Sequence, residues 1–116
     1  MTPEIRRGDL YWLDWSPGRG SEQAGRRPSL VVQTDAANQV QRYPNTIVVA
    51  VSRSGKPVPF HVLVSPDPLN GLRDSSYIKC EQIITVSRDR LAERIGRLSE
   101  TDLARVDEAL RKVLGL

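Results

Sequence analysis

Between positions 8 and 98 the chain is built from short apolar or alternating stretches, most of them set apart by Pro, Gly, Asn or Asp. Stretches at 8–15, 29–34, 46–52, 60–64, 76–80 and 83–86 have the length and the β-branched or aromatic enrichment of strands, with 94–98 as a further candidate. Within them, Ile47-Val48-Val49-Ala50-Val51 is apolar without alternation, which predicts a strand buried on both faces. The period then changes. Leu103, Val106, Leu110, Val113 and Leu114 recur at three- and four-residue steps, which predicts a C-terminal helix with one apolar face. Ser99 is placed to cap it, with Asp102 three residues on as a shortened capping-box partner. Single helical turns are expected at 35–39 and 87–91. The fold class that results is mainly β: a small barrel with a C-terminal α-helix and one or two short helices.

Length and composition narrow this further. A chain of 116 residues can close one hydrophobic core and is too short for two, so a single domain over 1–116 is expected. There is no repeat, low-complexity tract or linker. The lone cysteine, Cys80, excludes an internal disulfide and fits a reducing compartment. With no apolar run long enough for a membrane span or signal peptide, a soluble cytoplasmic protein with no membrane partner is expected. Net charge is only +3, but it is unevenly spread: residues 1–60 hold eight Lys/Arg against five Asp/Glu, and residues 61–116 hold nine against nine. The surplus favours a polyanionic ligand without requiring one, because a few extra cations also suit a solvated face.

That surplus sits around one run, Gly20-Ser21-Glu22-Gln23-Ala24-Gly25-Arg26-Arg27-Pro28. Glycines at 18, 20 and 25 let the backbone bend, while Pro28 fixes its own φ and biases Arg27 toward an extended conformation. A polar loop thus delivers Arg27 to the start of a buried strand, with Arg26 and Arg19 nearby, and a guanidinium fork matches a phosphate bidentately. Ser52 ends the most apolar strand just before Arg53-Ser54-Gly55-Lys56-Pro57, so its hydroxyl emerges where buried strand meets solvent. One histidine, one cysteine and no close carboxylate cluster give no basis for a metal site, and no cofactor is expected. Trp12 is expected to pack in the core; Trp15 suits the core or a stacking surface equally.

Arg7-Gly8-Asp9-Leu10-Tyr11, followed by Gly20-Ser21-Glu22-Gln23-x-Gly25-x-Arg27-Pro28, resembles the MazF/PemK family of toxin endoribonucleases. The match continues in register through Val48-Val49-Ala50-Val51-Ser52, Arg73-Asp74-Ser75 and Glu81-Gln82-Ile83, and covers nearly the whole chain. The resemblance implies an SH3-like barrel of the CcdB/PemK type. It also implies a metal-independent, sequence-specific mRNA interferase that leaves a 2′,3′-cyclic phosphate and a 5′-hydroxyl on single-stranded RNA. Arg27 and Ser52 would be catalytic, although the family usually carries threonine at the second position. Glu22, Ser75, Glu81 and Gln82 match positions near the RNA groove, and Arg19, Arg26, Arg53, Lys56 and His61 are further candidate RNA contacts. His61 also tempts an acid–base reading, but a single histidine inside a strand fits a structural or RNA-contacting role better. The resemblance further implies a homodimer whose groove is contested by the acidic, disordered tail of a cognate antitoxin. Two alternatives differ in class: a CcdB-like toxin that binds DNA gyrase without nuclease chemistry, and an inert SH3-like RNA-binding module. Neither gives a reason for the Arg27/Ser52 pair.

Overall fold

The unbroken apolar run and its alternating neighbours become one antiparallel sheet. A computed structural model describes residues 4–15, 19–20 and 22–116. Its strands are β1 (Asp9–Asp14), β2 (Arg26–Val31), β3 (Asn45–Ser52), β4 (His61–Val64), β5 (Ser76–Ser87) and β6 (Arg94–Arg97), in the order β4-β5-β3-β2-β1-β6. Two α-helices, α1 (Asp35–Asn38) and α2 (Glu100–Leu114), and a 3₁₀ turn at Arg88–Arg90 complete the elements among the described residues. Gly18 and Ser21 of the polar loop lie outside them.

β3 is central and buried on both faces, as its sequence predicts. Val49 and Val51 pack into one core with Leu10, Leu30, Ile78 and Val106, while Val48 and Ala50 join Tyr11, Leu13, Trp15 and Val31 on the opposite face. The helix α2 covers the first of these cores through Leu103, Val106, Ala109, Leu110 and Val113. Ser99 caps it by accepting a hydrogen bond from the Asp102 N–H at 3.1 Å, but the Asp102 carboxylate turns to Arg105. Arg7 ties the helix down from the sheet side, with its guanidinium 2.6 Å from Asp107 and its Nε donating to the Val32 carbonyl. No helix among the described residues is long and apolar enough to cross a membrane.

Two strand boundaries differ from those read in the sequence. The stretches 76–80 and 83–86 are one strand, β5: Val49 pairs with Ile83 and Ala50 with Lys79, so Cys80, Glu81 and Gln82 bulge out with no counterpart on β3. The polar pair inside this bulge is what separates the two stretches in the sequence. β2 starts three residues before Ser29, because Arg26, Arg27 and Pro28 pair with Asp14, Leu13 and Trp12 of β1. Its ladder to β3 runs only from Ser29 to Val31, leaving residues 26–28 as an edge on that side, where proline is tolerated.

The sheet curls into a half-barrel whose two edges are joined by loop rather than by strand pairing. After β4 the chain passes beside β6, and the Leu69 carbonyl accepts from the Arg97 N–H at 3.0 Å. Glycine is required on both sides of this crossing: a Cβ on Gly96 would lie 2.5 Å from the Asn70 carbonyl oxygen, and one on Gly71 2.3 Å from that of Ile95. Asn70 is fully buried and holds the loop, donating to the Ser65 carbonyl and accepting from the N–H groups of Asp67 and Leu72. The exposed β6 edge is thereby covered.

Candidate active site

Where β2 separates from β3, the sheet opens into a groove of about 1040 Å³. Continuing the Ser29–Ala50 register by two residues sets Arg27 opposite Ser52, and both side chains line this groove. Arg26, Arg53 and Arg73 also line it, against one acid, Asp74. Four guanidiniums to one carboxylate make a wall suited to phosphate.

Arg27 is exposed, and its only side-chain hydrogen bond among the described residues is to the Arg26 carbonyl at 3.1 Å, with no carboxylate partner there. The guanidinium fork therefore remains available to an incoming anion. Ser52 is half-buried at the end of β3. Its Oγ accepts from the Ser54 N–H at 3.3 Å and lies 3.4 Å from the Ser54 hydroxyl. These are long contacts, and its own proton can still be donated into the groove. Arg53 is 3.7 Å from Asp74, an exposed pair of the kind worth at most about 1 kcal/mol.

The remaining candidates fall into two groups. Arg19 and Glu22 are exposed on the loop before β2, joined by a backbone bond from the Glu22 N–H to the Arg19 carbonyl. Ser75 is exposed beside the groove-lining Asp74 and Ser76, and Lys56 is exposed on the loop between β3 and β4. None of these four lines the groove itself. His61, Glu81 and Gln82 lie beyond it and are engaged with the protein. The His61 Nε2 lies 2.9 and 2.8 Å from the two Glu81 carboxylate oxygens, its Nδ1 accepts from the Lys56 N–H, and Gln82 Oε1 accepts from the Gln23 N–H at 2.8 Å. Among the described residues no three His, Cys, Asp or Glu side chains are grouped to hold a metal ion.

Of the two tryptophans, Trp12 departs from its expected core position and Trp15 takes the core rather than a stacking surface. Trp15 is buried in the second core, whereas Trp12 is half-buried, lines the groove and carries the Arg26 guanidinium 4.6 Å from its ring centroid. The signal was in the alternation. Tyr11, Leu13 and Trp15 share one face, which leaves Trp12 on the face that reaches solvent at Asp14. Arg73 was legible only as part of the Arg73-Asp74-Ser75 motif; its place in the groove depends on the loop that crosses to β6.

A curled sheet with a cationic, hydroxyl-bearing groove and an aromatic wall defines a class of protein suited to a polyanionic ligand. Residues 6–114 match the family described as PemK-like, MazF-like toxin of type II toxin–antitoxin system, and the chain belongs to that family. It is 39% identical to Endoribonuclease MazF9 of Mycobacterium tuberculosis, over 97% of this chain and 98% of that one. It is 41% identical to Endoribonuclease MazF of Staphylococcus epidermidis, over 97% and 92%. The fold matches the crystal structure of MazF from Deinococcus radiodurans with a TM-score of 0.78 at 30% identity, over 98% of this chain and 99% of that one. A MazE–MazF crystal structure from the same organism matches with a TM-score of 0.73 at 28% identity, over 98% of each chain.

Proposed function

We propose that this MazF-family endoribonuclease cuts single-stranded RNA at specific sequences by directing the substrate's own 2′-hydroxyl onto the adjacent phosphorus. The bond from phosphorus to the 5′-oxygen breaks, leaving a 2′,3′-cyclic phosphate and a 5′-hydroxyl end. The observation that carries this is the convergence of Arg27 and Ser52, from strands that have parted, on one arginine-walled groove. Arg27 neutralises charge on the non-bridging oxygens as the pentacoordinate state forms, and Ser52 donates a hydrogen bond to one of them. Both act by being fixed before the substrate arrives. Trp12 offers a stacking face to a base held beside the scissile phosphate, and Arg26, Arg53 and Arg73 hold flanking phosphates.

The reaction needs no metal in this scheme, because the nucleophile belongs to the substrate and the developing charge meets a guanidinium. The same reading makes the protein a cytoplasmic homodimeric toxin, one domain over its 116 residues, restrained by an antitoxin whose acidic, disordered tail competes with RNA for the groove. The MazE–MazF structure from Deinococcus radiodurans supports, by kinship, a partner protein bound to the toxin.

Purified protein incubated with mixed RNA in EDTA should cut single strands and leave duplexes intact, since an A-form helix hides base edges and resists in-line geometry. A substrate carrying a 2′-deoxy sugar 5′ to the cut should bind and stay whole. Activity that appears only with added divalent metal would sink the metal-free scheme. Cleavage of the deoxy substrate at the normal site would sink the 2′-hydroxyl attack.

A further inference from the structure

The β5 bulge does more than bend the strand. Two adjacent side chains leave it for two different loops: Gln82 accepts from the Gln23 backbone in the loop that carries Arg27, and Glu81 takes the ring of His61, which holds the loop between β3 and β4. His61 is the first residue of β4, and its side chain is only 5% exposed. The Phe60 ring stands edge-on to it at 5.5 Å. Since the Lys56 N–H points at Nδ1 from 3.0 Å, that nitrogen is an acceptor, and the ring proton lies on Nε2, facing Glu81. This network fixes both ring orientation and tautomer.

The same loop is held from its other side. A Cβ on Gly55 would lie 2.3 Å from the Tyr77 ring, so the backbone there lies directly on the aromatic face, as only glycine allows. The Ser54 N–H is bound to Ser52 Oγ. Residues 53 and 54, which line the groove, thus sit immediately before two anchored positions, Gly55 and Lys56.

Building on the RNA-cleaving reading, we infer that His61 and Glu81 are positioning residues: they clamp the loop between β3 and β4 so that Arg53 and Ser54 form a fixed wall of the RNA groove, and thereby set RNA binding and cut-site choice rather than the chemical step. Glu81 orients His61, His61 holds the Lys56 amide, and that amide fixes the wall.

The test is His61→Phe, which keeps a ring of similar size and its contact with Phe60 but removes both hydrogen bonds. Glu81→Leu removes the acceptor alone, and Gly55→Ala dislodges the loop without touching His61. Each should raise KM for a short RNA about tenfold, as expected for losing one ordered contact region, while the single-turnover rate at saturating RNA falls less than about threefold. Cut sites in a mixed RNA pool should spread beyond those of the wild type. Amide exchange at Lys56 should quicken in His61→Phe, which reports the clamp without any cleavage assay. Affinity for the uncleavable 2′-deoxy strand should weaken by the same factor as KM rises. Wild-type KM, cut sites and Lys56 exchange in both His61→Phe and Glu81→Leu would overturn the inference. So would a large fall in the saturated rate at constant KM, which would put His61 in the chemistry. If the wild type fails to cut RNA at all, the reading of function is lost, yet Lys56 exchange and deoxy-strand affinity still decide the clamp.

Discussion

Arg27 and His61 are the two side chains of this protein best suited to phosphodiester chemistry, and their surroundings are opposite. Arg27 stands on a strand end that has left its neighbour, exposed, with its guanidinium bonded among the described residues only to the adjacent carbonyl. His61 is almost buried, with one nitrogen against a carboxylate and the other accepting a backbone N–H. A group whose hydrogen-bonding capacity is already spent inside the protein stabilises a fold; one held in place by its backbone but left unspent can meet a substrate. The chemical promise of a residue type is therefore decided by its partners.

The largest break in this comparison is expected from Arg27→Ala, which should lower the single-turnover rate by roughly 10³-fold while thermal stability holds, because among the described residues the guanidinium bonds only to the neighbouring Arg26 carbonyl. Arg27→Lys should recover only part of the loss, since charge returns without the fork. A near-wild-type rate for Arg27→Ala on a sensitive substrate would place the catalytic centre elsewhere. Ser52→Ala comes next, at roughly 10²-fold in the same assay, for removal of one preorganised donor. Ser52→Thr should be at least as fast as the wild type, because the added methyl restricts χ1 and leaves fewer competing rotamers. Alanine matching serine would make Ser52 a strand-end residue bound to its own turn.

Trp12→Ala sharpens the comparison from the binding side. Its ring is half-buried and carries Arg26, so removal should weaken affinity for the 2′-deoxy strand by about 1–3 kcal/mol, the usual worth of one base–aromatic stack. Unchanged affinity would return Trp12 to a packing role. The smallest effect is expected at Asp74→Asn. Its pair with Arg53 is exposed, so stability should change by less than about 0.5 kcal/mol, while RNA affinity rises slightly as the one acid of the groove is neutralised. That rise should fade with added salt; a salt-insensitive effect would point to a change in loop shape.

Cys80 offers a control on the principle itself. It is a nucleophile by type, yet burial, aided by the charge of Glu81, pushes its thiol up to about 12. Alkylation of the native protein at pH 8 should be far slower than of the urea-unfolded chain. Equal rates would mean that β5 opens readily at its bulge.

Much of the architecture was legible in the chain because it follows from local periods. The run 47–51 could be buried on both faces only in the middle of a sheet, and Leu103, Val106, Leu110 and Val113 could meet a core only as one helical face. Arg27 was legible for a similar reason: its conformation is biased by the proline that follows it, and its solvation by the polar loop before it. Ser52 was marked by the change from apolar strand to polar loop.

What the sequence left open required residues far apart along it to meet. The bond from the Gln23 amide to Gln82 spans 59 positions and the His61–Glu81 contact spans 20, and each depends on a three-residue bulge that, in the sequence, is a gap between two strand stretches. Trp12 became a groove wall because β2 leaves β3 beside it, and Arg73 reached the same groove because the chain after β4 crosses to β6 over two glycines. Hydrophobic period is a property of a single segment, so one sequence can state it. Register, bulge and loop crossing are properties of pairs of segments, fixed only when cores on both faces of the sheet are packed together; the groove and its clamp came into being at that step.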